Sequence, residues 1–155
     1  ACGVSSAAPY KHFEDRTDFI ASIIEYVSRA WEENLPEVVE AYPGDLRKQL
    51  TEISVRYVKF LVQNPHYRSI IMLKDPIFDR QYADLRHRLS STSRQLVEKY
   101  CESVQMPTDT THYKLYIVRS LIYGAALMFD NGEMEYSQEN IEYVRRAISR
   151  EFELP

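Results

Sequence analysis

The densest run of side chains able to do chemistry lies at the front of the chain. Tyr10, Lys11 and His12, with Arg16 one turn further on, carry hydroxyl, ammonium, imidazole and guanidinium tips of the kind that grip phosphate. The residues just ahead of them are small: Ser5, Ser6, Ala7 and Ala8 follow Gly3 and Val4. Gly3 suits a turn with positive φ, and Val4 can plug the junction between two helices. Ser5 or Ser6 can cap the helix that follows, and Pro9 falls in or beside its first turn, where a missing amide proton costs least. This order reads as the turn and second helix of a helix-turn-helix, which makes double-stranded DNA the first partner to consider. Ser5, Ser6, Ala7 and Ala8 would let the helix backbone sink into a major groove, their methyls meeting thymine, while Tyr10, Lys11, His12 and Arg16 hold the phosphates. The plainer alternative is a helical corner in which Tyr10 and Phe13 merely pack.

A second set of chemistry-bearing residues is aromatic. The chain has 12 tyrosines. Tyr57, Phe60, His66, Tyr67, Met72, Phe78, Tyr82, Tyr116 and Tyr123 offer apolar walls with occasional hydrogen-bonding tips, the usual make-up of a pocket for a small molecule. Arg119 is the single charge in a long apolar stretch, so it is placed either to meet a polar or acidic ligand or to pair with a carboxylate. Other chemistries find little support. Asp84 and His87 share a helical face but lack a third metal ligand. Cys2 and Cys101 are far apart without ligand spacing, so plain thiols are expected rather than a disulfide or zinc site. No activated serine, phosphate loop or redox cysteine pair stands out, and neither an enzyme nor a cofactor is expected.

The elements that must position these groups are helices. With 4 glycines, 7 spaced prolines and little β-branched alternation, the composition points to an all-α protein. Asp15 is a plausible N-cap, with Asp18 three residues on as an imperfect capping box, for a helix whose stripe is Phe19, Ile20, Ile23, Ile24, Val27, Ala30 and Trp31. Leu35-Pro36 and Tyr42-Pro43-Gly44 bracket a short segment. A second long helix carries Leu46, Leu50, Ile53, Tyr57, Phe60 and Leu61. Asn64-Pro65 and Asp75-Pro76 each set a capping residue before a proline, predicting a short helix over Tyr67–Leu73 and a long one from Ile77 towards Tyr100. The stretch from Thr111 to Asp130 is apolar nearly all round and must be covered on both sides. Ser137 caps a last helix with the stripe Ile141, Val144, Ile148 and Phe152. Ser120 and Gly124, small and four apart, would let another helix approach closely. The expected cover is therefore a second copy of the chain, with the last two helices of each forming a four-helix bundle; a central helix in a monomer gives the same pattern.

The run Gly3-Val4 followed by Tyr10-Lys11-His12-Phe13 resembles the tetracycline-repressor (TetR) family of bacterial transcriptional regulators. In that family a glycine and an apolar residue end the turn, a short recognition helix follows, and a Tyr-x-His-Phe cluster leads into a long helix, here the one starting near Asp15. The resemblance implies that residues 1–14 are the remainder of a helix-turn-helix head whose first helix and most of whose second have no counterpart in this sequence, and that residues 15–155 form a helical ligand-binding and dimerisation domain. It further implies operator DNA of pseudo-palindromic form, an unknown small-molecule effector, and a homodimer. Charge agrees with such a division: the net charge is −4, yet Lys11, His12 and Arg16 cluster at the front while Glu32, Glu33, Glu37, Glu40, Glu133, Glu135 and Glu139 lie further on. No apolar run approaches a membrane span, and a cytoplasmic location is expected. The expected function is a ligand-responsive regulator, a repressor released from its operator by its effector. A helical dimeric small-molecule-binding or scaffold protein without operator binding is the other reading.

Overall fold

The computed structural model describes residues 12–33, 35–72 and 76–153, except for the side chains at 70–72, 77, 86–90 and 92–93. Every regular element among them is an α-helix, giving an all-α fold: α1 Arg16–Glu32, α2 Leu35–Ala41, α3 Leu46–Gln63, α4 Pro65–Met72, α5 Pro76–Gln81, α6 Ala83–Ser103, α7 Thr108–Asp130 and α8 Gln138–Glu151. The starts of three helices follow from short polar side chains. Asp15 Oδ1 accepts from the Asp18 amide at 2.8 Å, Asp45 Oδ1 from the Lys48 amide at 2.9 Å, and Ser137 Oγ from the Asn140 amide at 3.3 Å. Each satisfies one of the amide groups that a helix start leaves unpaired. Asp18 also reaches back to accept from the Glu14 amide at 3.1 Å, completing a reciprocal cap one residue outside the usual position.

Two features differ from the reading of the sequence. Asn64 does not cap the helix after it: its side-chain amide donates to the Phe60 carbonyl at 2.8 Å, satisfying the end of α3 instead. The long helix expected from Ile77 to Tyr100 is two helices, because the chain leaves helical geometry at Tyr82 (φ −127°, ψ 37°). Phe78, Tyr82 and Leu85 nevertheless bury together against α1, so the apolar stripe runs on across a break that periodicity cannot register.

α3 is the centre of the molecule. It packs on α2, α4, α6, α7 and α8, while α1 lies on α2, α4, α5 and α6. Its buried Leu50, Ile53, Val58 and Leu61 meet Val118, Ile122, Ala126 and Phe129 of α7, Ile141, Val144 and Ile148 of α8, and Val97 and Tyr100 of α6. Each such side chain stabilises the fold by about 1.5–3 kcal/mol relative to exposure. A smaller cluster of Ala21, Ile24, Phe78 and Leu85 joins α1 to α5 and α6. Polar ties hold α8 in place: Arg145 pairs with Glu52 of α3 and with Glu142 at 2.8 Å, and Arg47 pairs with Glu153 at 2.7 Å.

The apolar character of α7 is shared between two faces. Val118, Ile122, Ala125, Ala126 and Phe129 are buried within the chain. The opposite face leaves Tyr113, Tyr116, Leu127 and Met128 exposed, with Ser120 among them and Gly124 half-buried. The turn into α8 requires Gly132, whose φ of 72° lies in the left-handed region that side chains disfavour. No helix of the described residues is long and apolar enough to cross a membrane.

Candidate functional site

The largest aromatic assembly is built from three helices. Trp31, in the last turn of α1, lies with its ring 4.8 Å from that of Tyr57 and 5.5 Å from that of Phe60, both on α3. Tyr67 of α4 closes the group edge-on to Phe60 at 5.6 Å. Tyr57 and Phe60 are three residues apart on one helix face, so their rings lie nearly parallel, 15° between planes. Such contacts add about 0.5–1.5 kcal/mol per pair beyond the area they bury.

Polar tips converge on one side of these rings. The Tyr67 hydroxyl lies near Ser28 of α1, whose own hydroxyl donates to the Ile24 carbonyl at 2.6 Å. The Tyr57 hydroxyl lies near that of Tyr123 of α7. Burial pushes Tyr57 well above the ordinary phenol range, and the neighbouring hydroxyls of Tyr123 and Tyr67 push the same way, while the Arg119 guanidinium opposes them. Tyr67 is raised in the same manner, chiefly by burial. Near neutral pH these phenols are therefore neutral donors and acceptors, unsuited to proton abstraction. The arrangement suits recognition of a flat, largely apolar molecule with a few hydrogen-bonding groups.

Of the pocket residues expected from the sequence, Tyr57, Phe60, Tyr67 and Tyr123 come together here, with Arg119 exposed on α7 yet near enough for its charge to act on Tyr57. Phe78 and Tyr82 stack on each other at 5.2 Å, but in the smaller cluster beneath α1. His66 and Tyr116 are exposed. The Met72 side chain lies outside those described. Sequence reasoning passed over Ser28 and Trp31 as a site, because Trp31 reads as one more member of the α1 stripe. It also passed over Arg68. That residue follows Tyr67 on α4, is buried, donates to the Ala126 carbonyl at 3.5 Å and pairs with Asp130, both on α7. Nothing in its sequence neighbourhood marks an arginine as buried.

At the other end, Ser5, Ser6, Ala7, Ala8, Tyr10 and Lys11 lie outside the described residues. His12 and Arg16 are both exposed at the head of α1, where the Phe13 ring packs at 5.0 Å from Phe19. Asp84 is exposed, and the His87 side chain lies outside those described. Among the described residues no three potential metal ligands gather. Cys101 is a buried free thiol with its Sγ 3.6 Å from Met106 Sδ. No family model, curated protein or solved structure matches the chain.

Proposed function

We propose that the chain is the body and part of the reading head of a ligand-responsive, DNA-binding transcriptional regulator of the tetracycline-repressor type, acting as a two-fold homodimer through α7 and α8. The observation that carries this reading is the placement of α1. It opens at the Asp15 cap, directly behind the Tyr10-Lys11-His12-Phe13 run, and delivers Ser28 and Trp31 into the aromatic assembly about 25 Å away. One helix thus spans the distance between the residues suited to phosphate and those suited to a small molecule. Exposed His12 and Arg16 at its head agree with a phosphate-gripping end. The apolar outer face of α7 supports a second copy, which would present two heads to a pseudo-palindrome.

The mechanism is a coupling of two equilibria. A molecule that binds more tightly when α1 is displaced lowers operator affinity by its differential affinity for that state, and operator DNA lowers the molecule's affinity by the same factor. The test uses the natural full-length polypeptide and the DNA upstream of its own gene. Fluorescence anisotropy is expected to show binding that exceeds binding to an unrelated duplex and weakens when a molecule recovered from the purified protein by native mass spectrometry is added. Equal, weak binding to both duplexes at low salt overturns the operator reading and favours a helical small-molecule-binding dimer. Specific binding indifferent to every bound molecule overturns the coupling.

A further inference from the structure

α8 presents an outward row of Glu139, Tyr143, Arg146 and Arg150, preceded by Glu135, so its exposed side is acidic at the start and basic at the end. Among the described residues Glu135, Glu139, Arg146 and Arg150 form no side-chain ion pair, whereas Glu142 is already held by Arg145 at 2.8 Å. Residues 139 and 146 are two turns apart on the helix, about 10 Å, too far to pair within one chain. Lys114 donates to the Glu151 carbonyl, so α7 and α8 run antiparallel with those ends level. Ile122, eight residues along α7 from Lys114, then lies level with Tyr143, eight residues back along α8 from Glu151. Because α3 packs on both helices, their faces turned away from α3 lie on one side of the pair.

We propose that two copies of the chain pair across this side in one fixed antiparallel register, about a two-fold axis at the level of Ile122 and Tyr143, with Arg146 and Arg150 of each copy facing Glu139 and Glu135 of the other. This deepens the two-fold reading above and rests on it. The same axis sets exposed Ser120 against Gly124 of the second copy, where a Cβ would meet nothing of its own chain within 4 Å, leaving open space for the approach. It sets Tyr116 against Met128 and Ile117 against Leu127, aromatic on thioether and aliphatic on aliphatic. A register shifted by one turn still stacks Gly124 on Gly124 or Ser120 on Ser120, but it opposes only one Glu–Arg pair, Glu135 with Arg146 or Glu139 with Arg150, where the proposed register opposes two. The charges act mainly on partner choice: rim ion pairs add little affinity, but juxtaposed like charges reject a wrong partner or register.

The symmetry makes the test a mixing experiment on the whole chain, by sedimentation equilibrium at low salt. The wild-type chain is expected to dimerise. E139R and R146E, each exposed and each placing two like-charge contacts in its own homodimer, are expected to self-associate about ten-fold more weakly with unchanged helical circular dichroism. Mixed together they are expected to form a heterodimer of wild-type affinity, since both contacts are then opposite in sign, and the double variant E139R/R146E is expected to recover on its own. G124F is expected to abolish pairing whatever the charges. A wild-type dimer whose single variants associate normally, or fail to recover on mixing, overturns the register alone. A dimer indifferent to G124F does the same. A wild-type chain monomeric at every concentration overturns the two-fold reading with it.

Discussion

Trp31 ties α1 to α3 through two rings at once, and its burial makes it the side chain whose loss the assembly can least absorb. Trp31→Ala is expected to lower unfolding free energy by about 3–5 kcal/mol, with Trp31→Phe costing less because most of the volume is retained; urea denaturation followed by circular dichroism measures both. Tyr57 and Tyr67 make a prediction about pH. Their folded values are raised by burial above the ordinary phenol value of about 10. Below that value both residues are protonated in either state, and their contribution to stability is fully present. Above it the unfolded chain releases its phenolic protons first, so stability is lost as pH rises towards the folded values. The urea midpoint is therefore expected to hold between about pH 8 and 9 and to fall beyond about pH 10. Tyr57→Phe removes one of these titrations, so its midpoint should fall less steeply than that of wild type; an equal slope contradicts the assignment.

At the scale of elements, two glycines separate conformational need from room for a neighbour. Gly132 holds φ 72° in the turn between α7 and α8, so Gly132→Ala is expected to destabilise the chain by roughly 1 kcal/mol. Gly124 sits inside α7, and a Cβ there touches nothing in its own chain. Gly124→Ala is thus expected to stabilise the isolated chain by about 0.5–1 kcal/mol while weakening self-association, two effects that thermal melts at low and high protein concentration separate. The starts of α1 and α8 were legible in the sequence because Asp15 and Ser137 cap through local hydrogen bonds that need no knowledge of the fold. The break at Tyr82 was not, since Phe78, Tyr82 and Leu85 keep one stripe through it. The site was half legible for a related reason. Helical spacing identifies Tyr57, Phe60, Phe78 and Tyr82 as inward-facing, but which helix each meets depends on tertiary packing, and that sends the last two beneath α1. Arg68 was not legible at all, because its burial depends on Asp130 arriving from 62 residues away.

For the molecule as a whole, adjacent residues of α4 connect the two ends. Tyr67 reaches Ser28 on α1 and Phe60 on α3, while Arg68 reaches Ala126 and Asp130 near the end of α7. α4 therefore links α1, the helix that would lead to a reading head, with α7, the helix that would carry the dimer face. A ligand that spreads the aromatic rings must move Tyr67, and α7 resists that movement through Arg68. Removing the tie separates stability from signal. Arg68→Met keeps the buried stem but loses the charged hydrogen bonds, so a loss of about 1.5–3 kcal/mol in unfolding free energy is expected. If the coupling runs through α4, the same variant still binds both operator and small molecule, yet the ratio of operator affinities without and with saturating molecule falls towards one. Binding isotherms for both partners, taken singly and together well below the variant's melting temperature, give that ratio directly. A ratio equal to that of wild type would mean that α1 responds to the aromatic assembly without help from α7. The tie at Arg68 would then serve only to hold α4 onto the core.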